Sequence, residues 1–396
     1  MELRVKILKW SAGIPVAMLN RKTAEKIGVH TRGRILIKTS SRKSKEIVAV
    51  VDLVEGLVKE EEIVVSLEIK RRIKLKAGQK VSINLSQVPD SLNLIKKKLN
   101  NKILSEKEIN QIIEDVVNNS LSEPEIALFV SAMYKQGMKL KETIYLIKAI
   151  LKTSNQLKIN KKFIVDKHCI GGVSGNRTSP IVVSICAAAG LTMPKNSSRA
   201  ITSAAGTADV IETIAGIDFS IKEIKKIVSK TNACMVWGGS SGIVPADSKI
   251  IQIEKDLRVD PEAQMLASII SKKLAVGSNY ILIDIPYGKF AKKTKQKALE
   301  LKKKFKQLGK HFHKELKVVL TKGNEPIGNG IGPALELMDV IKILDPTKKN
   351  YPLDLEKKSL FLSGEIFEMV GKAKKGKGIE MAKNQDSNCC KIIAIN

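Results

Sequence analysis

The sequence predicts a multi-domain α/β protein: a β-rich domain over residues 1–86, a small all-helical domain over 87–160, a large α/β domain over 161–383 and an atypical tail over 384–396. Three observations predict it. Hydrophobic residues make up 43% of the 396-residue chain, enough for several packed cores and too many for a disordered chain. The apolar period changes along the chain, from short alternating runs to helical stripes and then to strands, glycine loops and helices in alternation. Two Ser-x-x-Glu capping boxes, Ser105 to Glu108 and Ser122 to Glu125, mark helix starts in the middle stretch.

The first domain rests on β-type runs at Leu3 to Ile7, Arg34 to Lys38, Glu46 to Val51, Ile63 to Ile69 and Lys80 to Leu85. One helix interrupts them, with Asn20 as N-cap, Ala24 and Ile27 as its apolar side and Gly28 as its stop. In the helical domain, Ile109, Ile112, Ile113 and Val116 form the stripe after the first capping box. Ala127, Val130, Ser131 and Tyr134 are the expected side after the second. The large domain opens with a short strand, Phe163 to Asp166, and contains another at Tyr280 to Ile285. Its densest basic stretch, Lys289 to Lys317, has twelve lysines against Glu300 and Glu315. Ala298, Leu301, Phe305 and Leu308 recur there at helical spacing, with Gly309 as the expected stop, so the lysines read as a solvated helix face.

Composition excludes several classes. The longest nearly apolar stretch, Ile181 to Met193, has 13 residues, short of the roughly 20 that span a membrane. The first ten residues alternate apolar with charged and do not read as a signal peptide, so the expectation is a cytoplasmic protein. Five scattered cysteines without CxxC spacing and four histidines argue against a disulfide framework or a structural metal. A formal charge of +29 attracts phosphate-bearing partners, but few aromatics (4%), lysine rather than arginine, and the lack of an RNA-binding signature argue against a dedicated nucleic-acid surface.

The chemistry concentrates in three segments. Asp166-Lys167-His168-Cys169-Ile170-Gly171-Gly172-Val173-Ser174-Gly175-Asn176-Arg177-Thr178-Ser179 lies after a strand and before an apolar helix from Pro180. Glycines there let backbone N–H groups approach an anion, the helix presents its positive end, and Lys167 adds charge. The spacing fits neither a P-loop nor a dinucleotide fingerprint. The second segment, Ser198-Arg199-Ala200-Ile201-Thr202-Ser203-Ala204-Ala205-Gly206-Thr207-Ala208-Asp209, is rich in hydroxyls with one Arg, as a second anion-contacting loop would be. The third places Asp260, in Asp260-Pro261-Glu262, just before a helix that carries Ser268 and Lys272. Asp260 reads equally as an N-cap.

Together these segments, with Gly323-Asn324-Glu325-Pro326-Ile327-Gly328 and Gly330-Ile331-Gly332-Pro333-Ala334-Leu335-Glu336, resemble the thymidine and pyrimidine-nucleoside phosphorylase family. Ser198 to Ser203 with Asp260-Pro261-Glu262 is similar to its archaeal, AMP-cleaving branch. The resemblance runs to about Ala373. It implies a nucleoside phosphorylase-like fold, whose large domain has a mixed sheet and whose helical domain is joined by about residues 245–275. It implies phosphorolysis of AMP by inorganic phosphate, with CMP and UMP as further substrates, no cofactor or metal, and a homo-oligomer. Gly172, Ser198, Arg199, Ala200, Ile201, Thr202, Ser203, Thr207, Ser268 and Lys292 match its nucleotide-contacting positions, and Asp260 its proton donor. Lys167, Ser179, Ser197 and Thr207 match phosphate-holding positions. His168, Cys169 and Lys272 are further candidates, His168 for the sugar or the loop. Which loop takes the attacking phosphate and which the 5′-phosphate stays open.

Three positions depart from the resemblance: Cys169 where relatives commonly have Ser, and Ser174 and Arg177 where Pro and Lys are frequent. The expectation is weaker phosphate binding, because a thiol is a poorer donor than a hydroxyl. The family continues where this chain switches at about Asn384 to Gln385-Asp386-Ser387-Asn388-Cys389-Cys390, so the large domain is expected to be incomplete. Two rival readings remain: a phosphorylase of pyrimidine nucleosides, and a non-catalytic nucleotide- or RNA-binding protein.

Overall fold

A computed structural model describes residues 1–40, 44–200, 204–239 and 242–386. The expectations placed on Ile201, Thr202, Ser203, Cys389 and Cys390 lie outside the described residues. The chain divides into two compact units, residues 1–100 with 111–129, and residues 101–110 with 130–396.

The first unit is built on a closed six-stranded barrel in the order β1-β5-β2-β4-β3-β6. Its strands are β1 (Glu2–Ile7), β2 (Val16–Asn20), β3 (Arg34–Thr39), β4 (Glu46–Val54), β5 (Glu62–Val65) and β6 (Lys80–Leu85). Pairing is mixed, parallel for β1 with β5 and β2 with β4, antiparallel elsewhere. Alternation aims Leu3, Val5, Ile35, Ile37, Ile47, Ala49, Val81 and Ile83 into the barrel, where they are buried. Helix α1 (Arg21–Ile27) starts where Asn20 accepts a bond from the Lys22 N–H at 3.0 Å and stops at left-handed Gly28. The sequence reading missed β2 and ran the strand at Ile63 too far. Leu67 onward is helix α2 (Leu67–Ile73), whose left-handed stop is Lys74 rather than a glycine.

Four helices follow: α3 (Ser91–Leu99), α4 (Glu106–Asn118), α5 (Glu123–Gln136) and α6 (Leu140–Lys152). Both capping boxes form: Ser105 and Ser122 each receive a backbone N–H three residues on, and the glutamates reach back. The α4 stripe is buried as expected. The α5 side is corrected: Ile126, Phe129, Val130 and Met133 are buried while Tyr134 is exposed, because the bulkier apolar residues set the inward face.

The second unit holds β7 (Val165–Cys169), α7 (Thr178–Ala188), β8 (Met193–Ser197), α8 (Thr207–Glu212), α9 (Ile221–Thr231), β9 (Ala233–Trp237), α10 (Pro245–Leu257), α11 (Glu262–Ala275), β10 (Tyr280–Tyr287), α12 (Lys295–His311), β11 (Glu315–Lys322), α13 (Pro333–Leu344), α14 (Leu353–Met369) and α15 (Gly378–Asp386). Its paired strands are parallel, β11-β10-β7 and β8-β9, and an isolated parallel bridge between Ile164 and Thr192 joins the two sheets. Mixed pairing is thus found in the barrel. Helices α7, α13, α14 and α15 cover a core of Val165, Ile181, Ile185, Leu282, Leu360 and Phe367, while α6 packs against α10 and α11. The first strand lies in the middle: β8 and β9 go to one side, β10 and β11 to the other. That reversal is a topological switch point, and ligands of open α/β sheets bind beyond the strand ends there.

Gly309 is not a stop. It lies inside α12, where a Cβ would come within 2.6 Å of the Leu316 side chain, so its smallness lets β11 approach. The helix ends two residues later, and the four apolar residues before it are buried.

Candidate active site

The switch-point strand β7 holds much of the first candidate segment: Asp166 lies in the strand as expected, and Lys167, His168 and Cys169 continue it beyond the expected end at Asp166. Asp166 and Lys167 are fully buried. Lys195 on β8 and Lys273 on α11 both reach Asp166, at 3.1 and 2.8 Å, and Lys195 also donates to the Lys167 carbonyl at 2.7 Å. On β10, buried Asp284 accepts from Thr321 at 2.7 Å and pairs with Lys358 at 3.2 Å. Four lysines therefore crowd two carboxylates at the strand ends. Buried charge demands compensation, so this excess of cations is a place for an anion.

Lys167 is one of the four. Its Nζ meets hydroxyls, Thr178 at 2.5 Å and Ser179 at 3.4 Å, at the N-terminus of α7. Burial pushes it down to about 8, against the pull of Asp284. His168 is held neutral, its imidazole pushed well below the ordinary value by burial and by the Lys273, Lys195, Lys272 and Lys167 cations. Burial likewise pushes the Cys169 thiol up to about 11, so it is no nucleophile. Its Sγ accepts from the Asn176 amide at 3.2 Å and the Gly171 N–H at 3.4 Å.

The glycine loop serves close approach. Gly172 has φ +89°, and a Cβ there would meet Lys292 Cγ at 2.7 Å and its backbone N at 2.8 Å. With Asp260, Ser174 and Phe290, these residues line an open cavity of about 500 Å³. Lys292 pairs with Asp260 at 2.9 Å. Asp260 does not cap the helix: the residue before α11 in cap position is Pro261. One helix face further in, Lys272 pairs with Asp247 and donates to Ser268 at 2.5 Å, and Gln264 donates to Asp247 at 3.1 Å.

The structure thus joins Lys167 with Ser179, Gly172 with Lys292 and Asp260, and Ser268 with Lys272. The second loop is braced differently. Arg199 bonds Asp209 and Glu212 and lies 4.5 Å over the Trp237 ring, so its charge is engaged within the chain. Asp209 also accepts from the Ala200 and Gly206 N–H groups, each at 2.8 Å. Arg177 bonds Glu336, the Ala205 carbonyl at 2.5 Å and Thr207 at 3.3 Å, which ties the glycine loop to the hydroxyl-rich loop. Ser197 Oγ and both amide atoms of Asn196 are buried without a hydrogen-bond partner beside Ser198. The sequence reading missed Lys195, Lys273, Asp284, Asn196 and the bracing role of Arg177. Strand register brings Lys195, Asn196 and Asp284 there, and the packing of α11 brings Lys273; the one local signal was their unusual polarity between apolar runs.

Residues 92–154 match the helical bundle domain of the glycosyl transferase family, and residues 161–303 its a/b domain. AMP phosphorylase of Pyrococcus horikoshii is 45% identical over 384 residues, 97% of this chain and 75% of that protein. The AMP phosphorylases of Thermococcus kodakarensis, over the same shares, and of Methanococcus vannielii, over 96% and 75%, are 41% and 36% identical. The crystal structure of anthranilate phosphoribosyltransferase (TrpD) from Thermus thermophilus superposes with TM-score 0.61 at 15% identity, over 76% of this chain and 98% of that one, a likeness of fold. With both domain models of one transferase family matched along the chain, and relatives this similar over nearly its whole length, the chain belongs to the AMP phosphorylase family.

Proposed function

We infer that the chain catalyses phosphorolysis of AMP: inorganic phosphate attacks C1′ of the ribose, releasing adenine and forming ribose 1,5-bisphosphate. The observation that carries this is the 36–45% identity to AMP phosphorylases over 96–97% of the chain. The site supplies the chemistry. Lys167, Thr178, Ser179 and Ser197 hold the attacking phosphate, whose charge faces the oxocarbenium-like sugar. Ser198, Ala200, Ile201, Thr202, Ser203 and Thr207 take the 5′-phosphate. Gly172, Ser268, Lys272 and Lys292 line the nucleoside, and His168 lies toward the sugar. Asp260 passes a proton to the leaving base. Arg199 acts by bracing its loop, since its guanidinium is already bonded.

Among the described residues no helix is long and apolar enough to cross a membrane. We place the protein in the cytoplasm, as a homo-oligomer with the domain limits given above. CMP and UMP are further substrates in this reading. A panel of AMP, CMP, UMP, thymidine and uridine with phosphate tests it: turnover of nucleotides and not of nucleosides is expected, and preference for thymidine or uridine would replace it with the pyrimidine-nucleoside reading.

A further inference from the structure

The loop between β10 and α12 is fixed at both ends and carries an aromatic ring between them. The Gly288 N–H donates to the Lys293 carbonyl at 3.2 Å and closes the loop, while the Lys289 N–H donates to Asn324 Oδ1 at 3.1 Å. Gly288 has φ +151°, and a Cβ there would collide with Asn324 Oδ1, so glycine lets the chain turn this close to its brace. Toward the far end Lys292 is held by Asp260 at 2.9 Å. Phe290 lies between these anchors, 70% exposed, with Lys289 Nζ 5.3 Å from its ring centroid. Single exposed apolar residues are common on protein surfaces; the place of this one is specific. With Asp260, Lys292, Gly172 and Ser174 it lines the open cavity of about 500 Å³, so the ring shares one cavity with the carboxylate assigned to the leaving base.

We propose that Phe290 is the base-stacking residue of the site and sets its preference for adenine over the pyrimidines. The inference deepens the phosphorolysis reading and rests on it for the position of Asp260 beside the base. A carboxyl group that gives a proton to a ring nitrogen meets the base at its edge, because the accepting lone pair lies in the ring plane. An aromatic side chain lining the same cavity then has the flat face of the base to cover. Such a contact is favourable for any base, and its area is larger for a two-ring purine than for a one-ring pyrimidine. Phe290 exchanges no proton in this scheme. It holds the base with its edge toward Asp260, and the anchored loop holds Phe290 ready before the nucleotide arrives, which lowers the ordering cost of binding.

The test titrates AMP, UMP and ribose 5-phosphate, without inorganic phosphate, into wild type, Phe290→Tyr, Phe290→Leu and Phe290→Ala by calorimetry. An exposed side chain contributes little to the fold, so all four proteins are expected to melt together. Phe290→Ala is expected to weaken AMP about 10- to 100-fold and UMP less, while ribose 5-phosphate, which has no base, changes by no more than about twofold. Phe290→Tyr, which keeps the ring, restores AMP affinity, and Phe290→Leu, apolar without a ring, restores little of it. With phosphate present, the loss in Phe290→Ala falls on the KM for AMP more than on kcat, as for an interaction made alike in ground and transition states. Unchanged AMP affinity in Phe290→Ala, equal loss for AMP and UMP or for AMP and ribose 5-phosphate, or full recovery in Phe290→Leu overturns the proposal. The expected binding pattern in a protein that leaves AMP intact when phosphate is added upholds the stacking residue and overturns the phosphorolysis reading instead.

Discussion

Lys167 and Asp260 divide the proposed chemistry between a buried cation and a half-exposed carboxylate, and each gives a distinct kinetic signature. Lys167→Met removes the charge that faces the anion while the hydroxyls stay, so the phosphate KM rises about 10- to 100-fold. Steady-state kinetics with phosphate varied will show it, and an unchanged KM would move the phosphate elsewhere. Asp260→Asn lowers kcat with AMP by about two to four orders of magnitude. Cys169 is subtler. Its sulfur accepts weak bonds from Gly171 and Asn176 and is not ionised, so Cys169→Ser offers a better donor at the same place. The phosphate KM is expected to fall about 2- to 5-fold, and an equal or higher value counts against the site.

Between elements, the junction to test is Arg177 with Glu336, where the glycine loop meets the start of α13. Both are buried, and Arg177 also holds the Ala205 carbonyl and Thr207. Arg177→Met leaves Glu336 as an uncompensated buried charge, a loss of about 3–5 kcal/mol, and Glu336→Leu in the same chain recovers most of it. Chemical denaturation of the two variants measures both steps. This junction also marks the limit of what local sequence tells. The capping boxes at Ser105 and Ser122, the helix at Asn20 and the buried stripe of α12 follow from neighbours three or four residues apart, so periodicity reveals them. Helix α2 escapes because only Ser66 separates Leu67–Ile73 from β5, so the apolar residues read as one continuous run. Gly309 misleads because its reason is a contact with β11, not a helix end. The glycine loop and the hydroxyl loop are visible as motifs. Their cross-brace through Arg177 and the meeting of Lys195 and Lys273 on Asp166 depend on strand order, which no local pattern encodes.

For the molecule as a whole, two buried groups make stability depend on pH in opposite directions. Glu254 titrates near 9 when folded against 4.5 when unfolded, so the folded state binds more protons between those values and stability falls as pH rises through that window. Lys167 titrates near 8 against 10.5, so the unfolded state binds more protons there and stability rises as pH climbs from about 8 to 10.5. Phosphate affinity is expected to fall as pH rises through about 8, where the folded-state Lys167 loses its charge. Thermal melts of Glu254→Gln are expected to lose the fall on the acid side, with a gain on the order of 3 kcal/mol at pH 7. A pH profile identical to wild type would remove Glu254 from this role.

The most direct test of the central claim is to incubate the purified protein with AMP, with and without inorganic phosphate, and to follow adenine and the sugar phosphates by chromatography and phosphorus NMR. Adenine and ribose 1,5-bisphosphate in equal amounts, formed only with phosphate, is the predicted result. Ribose 5-phosphate, phosphate-independent adenine release, or AMP binding without turnover would contradict it.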